Sequence, residues 1–292
     1  MGNSMSKKAA DTAASVAAII AIEQHFPRDE RLLDDGLAGR ILPLGSKVFV
    51  WLLRFAWLRD WMIRLTEKRF PGVWAIFPVR KRYIDAKVTE ATHLDALVNL
   101  GAGFDTLAFR LPTFAKGPVF EVDQPGNIEL KRSKLNQALG ELPEQLRFVS
   151  VDFDAQELGS ALASHGYSSG MKTFFVLEAV TQYLTITGIQ TTFDFLAKAQ
   201  SGSRLVFTYV RRDFLEGRAF YDNEDLYKRL VLKDKIWLFG LNPEEVADFL
   251  DGYGWRVLEH LGYDELADVY VKPTGRQLES LALERIVYAE KL

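Results

Sequence analysis

Residues 98–112 read VNLGAGFDTLAFRLP, and this stretch decides the fold. The run Leu97-Val98-Asn99-Leu100 ends at Gly101-Ala102-Gly103, and a segment of helical character follows. That is the outline of a strand, a tight turn and a helix. Glycine lacks a Cβ and takes positive φ without strain, so such a turn lets backbone N–H groups approach a ligand closely.

Similar runs recur on the C-terminal side at 119–122, 148–151, 174–177 and 205–210, each followed by a helical or loop segment. Short strands alternating with helical segments indicate a parallel sheet with crossover helices. The runs are continuously apolar, as expected of strands covered on both faces. Beyond Val210 the chain is charged and aromatic up to Leu241. Asn242-Pro243 then opens a helix, and 255–258 and 269–271 read as two further strands forming an antiparallel edge hairpin. The expected total is seven strands. On the N-terminal side, 12–77 is mostly helical and tryptophan-rich, and 80–96 reads as a separate helix after Pro78.

The chain has 292 residues, is 48% hydrophobic and 26% charged, and carries a net charge of −3. This is an ordinary globular profile with no basic surplus, so nucleic acid is not an expected partner. There is no cysteine, which excludes thiolate metal sites, disulfides and cysteine nucleophiles. The four histidines, His25, His93, His165 and His260, are scattered, so no bound metal is expected. The apolar segment 13–22 is too short to span a bilayer. Residues 48–65 are interrupted by Arg54, Arg59, Asp60 and Arg64, so both read as amphipathic helices rather than integral membrane segments. With no secretory signal apparent, the expected location is cytoplasmic.

Ligands of open α/β sheets sit at the carboxyl ends of the strands. Each of the first four strands places an acid there: Asp105 beyond the glycine turn, Glu121 and Asp123 after the second, Asp152 beside Phe153 after the third, and Glu178 after the fourth. An acid about 20 residues past such a turn can accept the hydroxyl protons of an adenosine ribose. Asp123 lies 22 residues past Gly101 (123 − 101) and nearer the strand end than Glu121. The G-x-G-x-x-G fingerprint of nicotinamide dinucleotide sites is broken, because Thr106 holds its third position. The accumulated acids would also repel a pyrophosphate. They suit an adenosyl ligand with a positive centre and no phosphate, such as S-adenosylmethionine.

On these motifs the sequence resembles the class I S-adenosylmethionine-dependent methyltransferases. Within them it is similar to the branch holding leucine carboxyl methyltransferases and polyketide-type O-methyltransferases. The segments RKRYIDAKV, VNLGAGFDTLAFRL, FEVDQPGNIELKRSKL, FVSVDF, FFVLEAVTQYLT and SRLVFTYV carry the resemblance. It implies an α/β, Rossmann-like, seven-stranded and mostly parallel sheet with an antiparallel edge strand, helices on both faces and an N-terminal helical cap. It implies a cofactor site in which Arg80 meets the methionine carboxylate and Gly101, Ala102, Gly103 and Asp105 form the turn. Asp123 would hold the ribose, Asp152 and Phe153 the adenine, and Glu178 the amino group. Two positions depart from the pattern on the acceptor side: Asp34-Asp35-Gly36 replaces Asp-Asp-Pro, and no arginine stands near Ile20.

The expected organisation is a helical cap over 1–79 and a methyltransferase domain over 80–292 with a lid insertion at 211–241. Trp51, Trp57, Trp61, Phe220, Tyr221 and Trp237 are the lid's aromatic candidates, and Tyr83 and Tyr183 read as core. The expected reaction is methyl transfer to a carboxylate or hydroxyl of a small-molecule acceptor. A protein C-terminal carboxylate and, more remotely, a nicotinamide-dependent oxidation are the alternatives, and no catalytic base is assigned. An oligomer is compatible with the sequence.

Overall fold

The computed structural model describes residues 14–111, 117–278 and 281–292. Its sheet has seven strands: β1 (Ala96–Leu100), β2 (Val119–Asp123), β3 (Leu146–Ser150), β4 (Thr173–Leu177), β5 (Arg204–Val210), β6 (Trp255–Leu261) and β7 (Glu284–Lys291). The order is β3-β2-β1-β4-β5-β7-β6. Strands β1 to β5 pair in parallel, and β7 runs antiparallel between β5 and β6. The chain reverses its winding direction between β1 and β4, which opens a crevice at their carboxyl ends.

The first five strands lie where the apolar runs predict them. The seventh does not. Residues 269–271 close a helix (Tyr263–Tyr270) rather than forming a strand, and the antiparallel partner is 284–291. A three-residue apolar run cannot separate strand from helix by periodicity. The helix buries Tyr263 and Leu266, and Glu265 Oε2 accepts the Gly262 N–H at 2.9 Å at its start. In β7, Ile286 and Tyr288 enter one core while Val287 and Ala289 enter the other.

Before the sheet come α1 (14–23), α2 (Ala38–Ile41), α3 (Leu44–Leu52), α4 (Ala56–Glu67) and α5 (Val73–Glu90). Helix α5 runs through Pro78, so it crosses the expected 79/80 boundary and joins cap and sheet in one element. Helices α1 to α4 share a core, with Ala17, Ile20, Ala21, Val50 and Leu53, that Trp74 of α5, Phe104 and Leu135 also enter. No helix among the described residues is long and apolar enough to cross a membrane.

One histidine carries a pH dependence at the sheet edge. His260 Nε2 accepts from Arg285 Nε at 3.0 Å, so that nitrogen carries no proton, and it lies 2.8 Å from Tyr209 Oη. Burial, aided by the Arg285 charge, pushes its pKa down from 6.5 to about 4. The unfolded chain therefore binds a proton in this window while the folded one does not, and stability is lost as pH falls through it. Urea midpoints measured above pH 6.5 and near pH 4 should differ less in His260→Gln than in the parent. An identical acid loss in both would contradict this source.

Candidate functional site

The turn after β1 has the backbone its glycines predict. Gly101 and Gly103 have φ of 74° and 39°. A Cβ on Gly101 would lie 2.1 Å from Val180 Cγ2, so no larger residue fits without movement. Gly101 N and Ala102 N donate to Val122 O at 2.7 and 3.0 Å, and Gly103 N donates to Asp123 Oδ2 at 2.6 Å. Asp123 Oδ1 meanwhile accepts Gln124 N and Asn127 Nδ2, each at 2.7 Å. A carboxylate offers about four acceptor sites. Three are thus engaged by the protein, and the acid clamps the turn in addition to lining the crevice.

Beneath the crevice lies a buried ionic network. Arg80, on α5 and 1% exposed, donates through Nε to Glu178 Oε1 at 2.7 Å and through Nη1 to Glu284. Lys81 Nζ lies 2.9 Å from Glu178 Oε2 and 3.0 Å from Asp105 Oδ1. Arg110 grips Asp85 through Nε and Nη2, each at 2.8 Å, and reaches Asp105 Oδ1 at 2.8 Å and Asp35 Oδ2 at 3.4 Å. Three cations thus face five carboxylates. Burial acts to raise the Asp105 pKa, but Lys81 and Arg110 outweigh it and hold the carboxyl far below the usual range. Lys81 and Arg80 do the same for Glu178. Burial wins at Glu284 and Asp85, whose pKa values rise. Next to Glu178, Ala179 is held at φ 55° with its N–H on Thr208 Oγ1 at 2.8 Å. A non-glycine residue persists there only where its surroundings fix it, and here they aim Glu178 inward.

Every residue singled out from the sequence for the site, Arg80, Gly101, Ala102, Gly103, Asp105, Asp123, Asp152, Phe153 and Glu178, lines one cavity. Glu121 does not. It is buried and pairs with Lys131 Nζ at 2.6 Å. Tyr183 lines the cavity, whereas Tyr83 is turned away and donates to Glu259 Oε2 at 2.9 Å.

The lid aromatics are placed elsewhere. No described residue of 211–241 lines the cavity, and neither do Trp51, Trp57 or Trp61. Phe214, Tyr221, Tyr227 and Trp237 instead pack onto the core on one sheet face. The cap wall is made by Val16, Ala17, Ile20 and Ala38. Aromatic residues signal burial or an interface, but sequence alone does not say which surface they cover.

Asp35, Lys81 and Asp154 are the charged cavity residues that sequence reasoning missed. Asp35 Oδ1 accepts the N–H groups of Leu37 and Ala38, and Oδ2 accepts the hydroxyl of Thr106. The residue that breaks the dinucleotide fingerprint thus ties the turn to the cap. The departure at Asp34-Asp35-Gly36 was the available signal. Thr106→Val should cost about 1–3 kcal/mol in urea unfolding, since it removes a donor from a buried carboxylate. An unchanged midpoint would mean the contact contributes nothing.

The model for leucine carboxyl methyltransferase matches residues 13–197, more than half of the chain. The chain belongs to the leucine carboxyl methyltransferase family. Relatives extend the match into the C-terminal part. A protein of Mycolicibacterium paratuberculosis is 32% identical over 276 residues, covering 85% of this chain and 82% of that protein. One of Mycobacterium avium is 32% identical over 268 residues, with the same shares. YktD of Bacillus subtilis is 28% identical over 197 residues, covering 66% of this chain and 64% of its own length. All three are named, by inference, as S-adenosyl-L-methionine-dependent methyltransferases. The family match runs from α1 to the helix Ile186–Ala197, which includes the turn, the acids after β1 to β4 and the Arg80-Lys81 pair.

Proposed function

We propose that this family member is an S-adenosylmethionine-dependent O-methyltransferase acting on a small-molecule carboxylate or hydroxyl. The observation that carries the reading is the charge of the cavity. Asp35, Asp105, Asp123, Asp152, Asp154 and Glu178 line it, against Arg80 and Lys81 alone among the described residues. Both cations are already held by buried carboxylates. The field therefore favours a ligand with a sulfonium and an ammonium, and disfavours a pyrophosphate. Asp123 would accept from the ribose, Asp152 and Phe153 would hold the adenine, and the Gly101–Gly103 backbone would underlie the methionine arm. The bound cofactor supplies a methyl group on a positively charged sulfur.

The chain's own contribution to such a transfer is positioning and exclusion of water. Val16, Ala17, Ile20, Ala38, Phe104, Val180 and Leu184 give the cavity an apolar wall suited to an acceptor's body. No histidine lines it among the described residues. That favours an acceptor that is already anionic, since a carboxylate needs no base and an aliphatic hydroxyl does. A protein C-terminal carboxylate is the second reading, since the family's description names a leucine carboxyl group.

Calorimetry with S-adenosylhomocysteine and with a reduced nicotinamide dinucleotide separates the cofactors. Micromolar binding of the first and none of the second is expected. The reverse result would sink the methyl-transfer reading. Methyl incorporation into small carboxylates rather than C-terminal peptides then decides the acceptor class.

A further inference from the structure

The outer face of the cap is far more apolar than a globular surface requires. Leu44, Val48, Trp51 and Phe55 follow one another at four- and three-residue spacing along α3 and the turn after it, and all are exposed. Trp57, Trp61 and Leu65 do the same along α4, with Trp57 71% exposed. The opposite sides of these helices are the ones that pack. Val50, Leu53, Leu58, Met62 and Ile63 enter the same core as the apolar side of α1, and Arg59 Nη1 donates to His25 O at 2.9 Å. The exposed stripes are thus the outer sides of well-anchored helices. Scattered exposed apolar residues are normal, but a contiguous stripe of tryptophan, phenylalanine and leucine marks a contact surface.

The charges around this face indicate what it contacts. Lys47, Arg54, Arg64 and Lys68 stand among the apolar residues, and the last three are exposed. Of the two acids of the segment only Asp60 is exposed. Asp60 lies 3.6 Å from Arg59 Nε, and Glu67 accepts the N–H groups of Gly72 and Trp74 at 2.8 and 3.2 Å. A locally positive face therefore sits on a chain of net charge −3. The Arg54 guanidinium lies over the rings of Trp51 and Phe55, 4.2 and 4.9 Å from their centroids. Basic side chains interleaved with tryptophan on a helix that does not span form the pattern of a segment lying in a membrane interface. There the rings reach the acyl boundary while the cations stay level with anionic headgroups.

We propose that the outer face of α3 and α4 docks this protein onto an anionic bilayer surface. A second copy of the chain in a two-fold contact would set one positive face against another, whereas anionic headgroups complement it. The docking face and the cavity share one helical unit, because α1 lines the cavity and enters the same core as the inner sides of both helices.

The full chain is sedimented with phosphatidylcholine vesicles containing about one-third phosphatidylglycerol, and with pure phosphatidylcholine vesicles. Preferential pelleting with the anionic vesicles is expected, weakened by salt. The double variant Trp57→Glu/Trp61→Glu should lower the partition coefficient by about tenfold or more. Because both side chains are exposed, its circular dichroism and its S-adenosylhomocysteine binding should be unchanged. Arg54→Glu/Arg64→Glu should remove the preference for anionic vesicles. Failure to pellet with either vesicle overturns the proposal, as does pelleting that both double variants leave intact. So does a dimer in sedimentation velocity that the tryptophan variant splits without any vesicle binding. None of these readouts depends on methyl transfer, so the docking proposal and the functional reading fail separately.

Discussion

Arg80→Ala is expected to lower folding stability by about 3–5 kcal/mol, the usual cost of leaving a buried charge without its partner. The guanidinium is held between Glu178 and Glu284, both buried, and its removal leaves Glu284 without a partner and Glu178 with Lys81 alone. Burial already pushes the Glu284 carboxyl up, and only Arg80 opposes it. The variant should therefore bind a proton at this site at a higher pH than the parent. Urea unfolding measures the loss. Arg80→Ala/Glu284→Gln should recover part of it by removing the orphaned charge, and no recovery would contradict the pairing. If Arg80 also meets the methionine carboxylate, S-adenosylmethionine should lose more affinity in this variant than 5′-methylthioadenosine, which lacks that group. Equal losses would confine Arg80 to holding Glu178 in place.

Asp123→Ala should weaken S-adenosylhomocysteine by about 1–3 kcal/mol, roughly five- to 150-fold, through acceptors lost to buried donors. Two causes combine. A ribose hydroxyl loses its acceptor, and the Gly103 N–H loses the carboxylate that holds the turn at 2.6 Å. Asp123→Asn separates them in part, because its remaining carbonyl oxygen can serve the turn or the ligand but not both as the carboxylate does. Titration calorimetry reads both variants. Parent-like affinity in Asp123→Ala would remove the ribose role. Since three donors already engage this carboxylate, binding both ribose hydroxyls requires one of them to give way. Asn127 is the side chain free to rotate, so Asn127→Ala should cost far less than Asp123→Ala.

What the sequence determined by itself was local. A glycine at positive φ, a continuous apolar run and an acid at a strand end are properties of a few neighbouring residues. Hence β1 to β5, the turn and the line of acids from Asp105 to Glu178 were all legible. The tertiary structure decided everything that depended on which surfaces meet. It turned 269–271 into a helix end and called on 284–291 for the antiparallel strand. It set Lys81 between Asp105 and Glu178, and joined Thr106 to Asp35 across 71 residues. It also moved the tryptophans away from the cavity. Trp51, Trp57 and Trp61 carry the same apolar signal whether a helix faces a core, a ligand or an interface. Periodicity gives a helix its stripe, but only the packing of α1 and α5 leaves the outer side of α3 and α4 facing outward.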